Sequence, residues 1–531
     1  MQAYRRASLP RASIHRRNVA CCYQNANARR ALPIVASAAA ASSASTAATP
    51  TAALEGALKQ CLLQTRIDSG ERGRGLFYEP APGAEPAVAD PIKDEEAMMS
   101  QQRAMPPALP PLLRVPLMWG LPLVCAPGQE GVELQEELLD EWQELNKVQL
   151  PQALVRLLLA TERPPAARLS AWFLWATRSP AAAGSPLAEF AAHVLPRDSA
   201  SCLRLIPTEE ARLPPDAMPT LSNMRKQVSA AVEELQAAGA VDGFSLDDLW
   251  WAFDMVISRS FSVSVTDPNT GNPTPLAAYV PWACLINHSP NPNAVFAADL
   301  SPDRREFVVV PRLRYTPIES GFEVCISYGG GLDGRSTLLK YGFVSTGNVN
   351  DRLDLPPGMA EAAARLKQQA MISAAEAISE RRATAAAEAS GGAVTSPSSS
   401  ANLTAAEKER NLVYCALASV LEAAGDWQAA RDAEEAAGQA PPATKGFSGG
   451  PAPALIKWAK AQAEAYAAPT GPAPPPPAPD APLPCRPPAE AEAPAGEDLS
   501  AAINVLRSER RRIALAIVDL VEEYRKQNTA A

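Results

Sequence analysis

One stretch of the chain, residues 282–343, restricts the possible folds more than any other part. An Asn287-His288 pair lies there inside an apolar run, and an apolar strand pattern follows it. Tyr328 and Tyr341 come later, thirteen positions apart, and each directly precedes a glycine. Each element alone has an ordinary explanation, because Asn-His-Ser can cap a turn and Tyr-Gly pairs commonly end strands. Together and in this order they indicate a functional site.

The alternation of side chains predicts where the first tyrosine points, since successive residues of a strand face opposite sides of a sheet. The pattern puts Phe322, Val324, Ile326 and Tyr328 on one face and Glu323, Cys325 and Ser327 on the other. Tyr328 is therefore predicted to face the core at the end of its strand. Residues 307–310, Phe-Val-Val-Val, predict a second, short buried strand.

Helices are predicted on the N-terminal side of this stretch, from about residue 131 to residue 235. Apolar residues recur there at spacings of three and four, as one buried helix face requires. The first such set is Leu134, Leu138, Leu139, Trp142 and Leu145. Ser245 is the predicted N-cap of a further helix, with acids in its first turn and its end near Ser258-Arg259.

Composition excludes several classes of function. The formal net charge of the 531 residues is −9, whereas binding to nucleic acid through the phosphate backbone requires a basic face. Three scattered histidines exclude a His-rich metal site, and nine cysteines without a CxxC pair indicate no zinc framework. The apolar run 109–124 contains four prolines and Arg114 and is shorter than the roughly 20 residues of a membrane span. No metal, nucleic acid or membrane span is expected.

The first 54 residues have the composition of an organelle transit peptide. They contain seven arginines, no lysine and many Ala and Ser residues, and the first acid is Glu55. A disordered basic tail is the alternative explanation. Composition alone does not separate a chloroplast from a mitochondrial address, so both stay open.

Beyond residue 354 the composition changes to mostly Ala, Glu, Arg and Lys, with helical spacing. One helix is predicted from about Met359 to Glu388. A second begins at Thr404, which forms a capping box with Glu407, and is predicted to end before Gly425. Residues 469–496 are a Pro/Ala tract, expected to be extended and disordered. A last helix is predicted over Ile503–Tyr524.

These motifs resemble the SET-domain protein methyltransferases, specifically the Rubisco large-subunit lysine methyltransferase-like branch. The resemblance is sharp over residues 242–343, partial over 73–235 and compositional beyond 354. It implies an α+β fold in which a β-rich SET domain carries a helical insertion and precedes an all-helical domain. It also implies that the segment holding Asn287-His288 packs with the tyrosine-bearing strands in a pseudoknot.

The resemblance implies five regions, each with its own role. Residues 1–54 are the transit peptide, 55–130 the N-terminal SET part with a divergent loop, and 131–240 the helical insertion. Residues 241–350 form the C-terminal SET core. Residues 351–531 form a helical domain that helps to dock the protein substrate, or else a structural bundle that binds a partner, and they include the 469–496 linker.

The resemblance further implies the site residues and S-adenosylmethionine as the cofactor. The cofactor would be bound by Asn287, His288, Tyr341 and Phe343, and by a Gly-rich turn at Gly73-Arg74-Gly75 through its backbone. Tyr328 and Tyr341 would be the catalytic residues, because tyrosine hydroxyls surround an amine and a methyl group with oxygen without adding a formal charge. Substrate would contact Tyr328, Cys284, Ser258 and Arg259, although Arg259 could instead pair with a carboxylate near its helix end. His193, among apolar neighbours, is expected to be structural.

Two positions depart from the family. Cys284 stands where an aspartate is usual, and Val263 stands where a basic residue sometimes holds substrate. The expected activity is protein-lysine N-methylation in the chloroplast stroma, with the Rubisco large subunit or another abundant chloroplast enzyme as the substrate. The alternatives are transfer to a histidine nitrogen, or a catalytically degenerate SET scaffold that binds cofactor or partner, which the Cys284 departure motivates.

Overall fold

The computed structural model describes residues 65–70, 73–79, 111–126, 130–196, 202–205, 210–239, 241, 243–266, 273–289, 292–299, 305–312, 318, 320–389, 403–436, 450–467 and 495–529. The predicted transit peptide lies outside these residues. So does the predicted Pro/Ala tract, apart from its last two positions.

Ten strands in the described residues form three small sheets. They are β1 Thr65–Gly70, β2 Gly73–Tyr78, β3 Leu113–Pro116, β4 Leu121–Val124, β5 Ser260–Thr266, β6 Pro273–Tyr279, β7 Asn287–His288, β8 Ala294–Asp299, β9 Glu306–Pro311 and β10 Glu323–Ile326. The strand orders are β1-β2-β10-β7, β3-β9-β8 and β4-β6-β5. The two strands predicted around residues 307–310 and 322–328 are confirmed as β9 and β10.

Twelve helices accompany the strands in the described part of the chain. They are α1 Val132–Asn146, α2 Gln152–Leu159, α3 Pro165–Arg178, α4 Pro186–His193, α5 Met218–Ala237, α6 Leu246–Arg259, α7 Gly334–Tyr341, α8 Pro357–Ala364, α9 Gln368–Ala389, α10 Ala405–Ala436, α11 Pro451–Ala467 and α12 Ala495–Thr529. Helices and mostly antiparallel sheets in one chain confirm the α+β class.

The local signals of the sequence set several of these boundaries. Ser245 caps α6 through a reciprocal capping box, in which its hydroxyl accepts from the Asp248 N–H and Asp248 accepts from the Ser245 N–H. Thr404 and Glu407 form the same box at the start of α10. The apolar run 109–124 becomes β3 and β4 with a 3-10 turn between them. Among the described helices, none is both long and apolar enough to cross a membrane.

The C-terminal helices differ from the predictions in three places. The helix expected over 359–388 is two helices, α8 and α9, because the chain turns where Leu366 packs against the C-terminal core. Helix α10 continues through Gly425 instead of ending before it, since one glycine inside a helix costs only about 1 kcal/mol. The predicted helix over 503–524 is confirmed, although α12 is longer at both ends and the third difference is α11, which was not predicted.

The buried apolar residues form two clusters, and α12 takes part in both. The first cluster fills the space between the sheets and α1 to α7, and the second lies among α8 to α12. Ile503 and Leu506 of α12 belong to the first cluster, whereas Ile513 and Ile517 belong to the second. The last helix of the chain is therefore built into the core that supports residues 282–343.

Candidate active site

Asn287 and His288 form the two-residue strand β7, which is buried. It runs parallel to β10, with Asn287 beside Cys325 and His288 beside Ile326. The Asn287 side-chain amide donates to the Glu323 carboxylate at the start of β10. The structure thus confirms that the Asn-His segment packs against the strand that leads to the first tyrosine.

Tyr328 lies just beyond the end of β10 and is 1% exposed. Its hydroxyl donates to the Ile286 carbonyl at 2.8 Å, and its backbone N–H donates to Nδ1 of His288 at 3.2 Å. Because Nδ1 accepts this bond, a neutral His288 carries its proton on Nε2. Two hydrogen bonds to the residues of one neighbouring segment therefore fix the position of the phenol.

Four rings meet at this point, and all four belong to residues singled out from the sequence. The Tyr328 centroid lies 4.8 Å from that of His288, 5.3 Å from that of Tyr341 and 6.1 Å from that of Phe343. Phe343 lies 5.9 Å from His288 and 6.1 Å from Tyr341. We call these residues the aromatic cluster. Such tilted and edge-on arrangements are the favourable ones for aromatic pairs.

Tyr341 ends helix α7 and not a strand, contrary to the implied pair of tyrosine strands. Gly342 follows with φ of 74°, the left-handed conformation that a glycine adopts readily after a helix. The Tyr341 side chain is 4% exposed, and its hydroxyl has no hydrogen-bond partner among the described residues. Burial raises the pKa of Tyr341 and of Tyr328 well above the usual value, so both phenols stay neutral.

The end of α6 brings Arg259 to the same region, and this side chain is 1% exposed. Its Nη1 donates to the Cys284 carbonyl at 3.1 Å, while its Nε has no hydrogen-bond partner and the described residues include no ion-pair partner for it. The Cys284 thiol lies 3.5 Å from the Tyr279 hydroxyl, and burial raises its pKa, so it is a neutral thiol. The neighbouring Ser258 hydroxyl donates back to the Asp254 carbonyl at 2.6 Å.

The predicted glycine turn is wrong in its local structure. Gly73, Arg74 and Gly75 are the first residues of β2, paired antiparallel with β1. The connection between the two strands, residues 71–72, lies outside the described residues. Strand β2 also pairs with β10, so its backbone shares a sheet with the strand that leads to Tyr328. Contact of these glycines with a cofactor stays a prediction.

Asn293 binds the backbone of β10 through its side chain and was not predicted to have this role. Asn293 stands in an Asn-Pro-Asn sequence that is typical of a turn, but its side-chain amide accepts from the Cys325 N–H at 2.8 Å and donates to the Glu323 carbonyl at 2.9 Å. An asparagine that bonds a strand more than thirty positions away has no local signal. His193, as expected, is outside the cluster and lies 3.6 Å from the Glu189 carboxylate on its own helix.

Asp351 supports the first turn of α7 from a buried position. It is 2% exposed and accepts from the Gly334 N–H. Burial is the main cause that raises its pKa to about 6, against the opposing charge of Arg510. Its carboxylate is thus held ionised at neutral pH in surroundings that favour the neutral form.

The raised pKa of Asp351 predicts that the free energy of unfolding decreases as pH rises. Between about pH 4 and pH 6 the folded chain keeps a proton on Asp351 that the unfolded chain has lost, so unfolding becomes easier across that window. The Asp351→Asn variant, which keeps the acceptor for Gly334, is expected to be more stable than the wild type at pH 7.5 by up to about 3 kcal/mol. At pH 4 the two should match.

Urea unfolding at both pH values measures this difference. Asp354→Asn is the matched control, because Asp354 is an exposed carboxylate three positions away that pairs with Arg335 and is expected to contribute less than about 1 kcal/mol. A stabilisation by Asp351→Asn that is equal at pH 4 and pH 7.5 would contradict the proposed protonation.

Comparisons with known proteins were made on the sequence and on the fold. No protein-family model matches the sequence, and no curated protein matches it. The fold is similar to Rubisco LSMT bound to AdoMet, at 14% identity and a TM-score of 0.40, over 90% of this chain and 92% of that chain.

Two further solved structures are similar at 13% identity. One is the SET domain of LSMT bound to lysine and AdoHcy, with a TM-score of 0.37 over 72% of this chain and 91% of that chain. The other is Rubisco LSMT bound to sinefungin and monomethyllysine, with a TM-score of 0.33 over 72% of this chain and 92% of that chain.

Proposed function

We propose that this protein is an S-adenosylmethionine-dependent protein-lysine N-methyltransferase. The observation that carries the proposal is the aromatic cluster, in which a buried, neutral Tyr328 hydroxyl is held beside the Asn287-His288 pair and the ring of Tyr341. Methyl transfer to an amine needs neutral oxygen acceptors in a site that excludes water, and this cluster supplies them. The motifs that resemble SET-domain methyltransferases support the same activity.

The residues present suit S-adenosylmethionine. The rings of His288, Tyr341 and Phe343 offer apolar faces for an adenine and for a sulfonium cation, which aromatic faces attract. The Nε–H of Arg259 is a buried donor without a partner among the described residues, and it suits an anionic group such as a carboxylate. When bound, the cofactor supplies an electrophilic methyl group on sulfur.

The residues of the chain then position the acceptor. The Tyr328 hydroxyl donates its hydrogen bond to the Ile286 carbonyl. Its oxygen lone pairs therefore remain available to accept an N–H of the substrate amine. The Tyr341 hydroxyl is free to bond within the same space. Holding an amine in line with the carbon–sulfur bond replaces a bimolecular encounter by a positioned one, which lowers the barrier.

The amine must also be neutral when it reacts, because its lone pair forms the new bond. Burial disfavours the charged form of a lysine and lowers its pKa. Arg259 adds a buried positive charge close to Tyr328, and the neutral Cys284 thiol adds no negative charge to offset it. Cysteine in place of the usual aspartate is therefore compatible with transfer to an amine, whose proton leaves to solvent before the methyl group arrives.

The cellular setting is part of the proposal and rests on the sequence. The acid-free, arginine-containing N-terminal segment favours import into an organelle, with the chloroplast stroma proposed and the mitochondrion as the alternative. The proposed substrate is the Rubisco large subunit or another abundant chloroplast enzyme.

Incubation with radiolabelled S-adenosylmethionine and a chloroplast extract tests the function. Label on a protein, recovered as methyl-lysine after hydrolysis, is the expected result. Recovery as methyl-histidine would assign the activity to a histidine nitrogen instead. Tight cofactor binding without label on any protein, from chloroplast or mitochondrial extract, would identify a degenerate scaffold and overturn the proposal.

Substitutions at Cys284 test the electrostatic part of the mechanism. Cys284→Ala keeps the site neutral and is expected to keep the pH profile of methyl transfer, with a stability loss of about 1–2 kcal/mol from the lost contact with Tyr279. Cys284→Asp puts a carboxylate beside Arg259. It is expected to shift the acidic limb of the profile upward by about one pH unit, because the amine keeps its proton longer. Identical profiles for both variants would contradict the role given to Arg259.

A further inference from the structure

Arg510 is a charged residue that the proposed chemistry does not use. Its side chain is fully buried in α12, between Leu506 of the first apolar cluster and Ile513 of the second. Removing a guanidinium from water costs several kcal/mol unless charges and hydrogen bonds compensate. Its burial at the junction of the two clusters therefore depends on specific partners.

Two carboxylates from separate parts of the chain are its partners. The Nη2 of Arg510 lies 3.1 Å from Oδ2 of Asp333 and 3.6 Å from Oδ2 of Asp216. Asp333 is the N-cap of α7, whereas Asp216 lies in the loop before α5. Arg335 also approaches both carboxylates, at 3.6 Å and 3.8 Å. One buried guanidinium thus joins the last helix, the helical segment before α6 and the helix that carries Tyr341.

The two carboxylate oxygens of Asp333 have different partners. Its Oδ1 accepts from the Ser336 N–H at 2.8 Å and caps α7, while its Oδ2 faces Arg510. Burial on its own would raise the pKa of Asp333, but the hydrogen bond from Ser336 and the charge of Arg510 outweigh it, so the pKa is lowered. The cap is therefore an ionised carboxylate at neutral pH.

Helix α7 connects the Arg510–Asp333 ion pair at its N-terminus to Tyr341 of the aromatic cluster at its C-terminus. Its eight residues span about 12 Å at roughly 1.5 Å per residue, from the cap to Tyr341. At its first position, a Cβ added to Gly334 would lie 3.2 Å from the Leu506 side chain, so α12 packs directly on the start of α7. Because a short helix moves as a unit, fixing its N-terminus fixes the Tyr341 ring against Tyr328 and Phe343.

We propose that Arg510 is a positioning residue for the active site, which acts by pairing with Asp333 and holding α7 so that Tyr341 closes the aromatic cluster. The buried Arg510–Asp333 ion pair then couples the C-terminal bundle to methyl transfer, in addition to the apolar contacts of α12. This inference rests on the proposed function for its effect on turnover, but its effect on α7 is independent of turnover.

Hydrogen exchange of the peptide covering residues 334–343 tests the attachment in the full-length protein. Arg510→Met is expected to speed its exchange by at least about tenfold, whereas Arg511→Met, at the exposed arginine next to it on the same helix, should leave it unchanged. Asp333→Asn is the sharper variant, because asparagine keeps the cap but removes the charge that pairs with Arg510. It too is expected to speed exchange.

The rate of methyl transfer in Arg510 variants distinguishes a positioning role of Arg510 from an effect on the stability of the whole protein. Arg510→Met is expected to lower the rate of methyl transfer about tenfold at a temperature where it stays folded, and Arg510→Lys to recover it to within about threefold. Unchanged exchange over 334–343 in both Arg510→Met and Asp333→Asn would overturn the inference. If wild-type protein transfers no methyl group, the proposed function fails, while the exchange result still decides the role of Arg510.

Discussion

Replacing Tyr328 by phenylalanine is expected to lower the rate of methyl transfer by at least about a hundredfold, a loss typical of removing one positioned polar group from an active site. The hydroxyl is the only polar atom that this change removes. It is buried, neutral and oriented by its 2.8 Å bond to the Ile286 carbonyl. Without it the amine loses an acceptor, and the main effect should fall on kcat.

The same change also leaves a buried carbonyl without its hydrogen bond, which costs about 1–3 kcal/mol. Calorimetric binding of S-adenosylmethionine and the circular dichroism spectrum should therefore be measured beside the rate. Tyr341→Phe is a control for stability only, because Tyr341 is itself a proposed site residue; the loss of its hydroxyl should cost less than about 0.5 kcal/mol of stability. A folded Tyr328→Phe variant that keeps wild-type kcat would refute the catalytic role.

Deleting residues 468–531, and with them α12, is expected to prevent the remaining chain from folding into a soluble protein. The helix buries large apolar side chains in both clusters: Ile503, Leu506, Ile513, Ile517, Leu520 and Val521. At about 1.5–3 kcal/mol for each, their burial matches the whole stability of a typical domain, about 5–15 kcal/mol. The deletion would also expose the apolar surfaces that they cover.

Point variants of α12 distinguish this result from a general intolerance to truncation. Leu506→Ala, in the first cluster and against Gly334, is expected to cost about 2–5 kcal/mol and to weaken cofactor binding. Leu515→Ala, at a side chain 41% exposed on the same helix, should cost less than about 1 kcal/mol. Soluble, cofactor-binding protein after the deletion would show that the first cluster does not need α12.

Much of the local structure was predictable because its signals are local. The capping boxes at Ser245 and Thr404, the strand of valines within β9 and the inward side of Tyr328 each depend on residues a few positions apart. The motif order also selected the four residues that the structure brings into the aromatic cluster. Their roles with cofactor and substrate stay predictions.

The errors came where contacts between distant segments outweigh local preference. Gly73 and Gly75 are compatible with a turn, but pairing with β1 on one side and β10 on the other makes them part of a strand. Helix α10 is a different case, since it passes the exposed Gly425 because one glycine costs a helix only about 1 kcal/mol. Asn293 has the signature of a turn residue, and its bonds to β10 exist only because the fold brings that strand beside it.

By itself, the sequence determined the class of secondary structure, the acidic net charge of the chain and the identity of the candidate site residues. Only the tertiary structure decided that Tyr341 ends a helix, that β7 lies parallel to β10, and that α12 joins the first cluster through Leu506 and contacts the N-cap of α7 through Arg510. The physical reason is distance along the chain. Periodicity and capping act over a few residues, whereas the pairing of Arg510 with Asp333 joins positions whose proximity no local preference encodes.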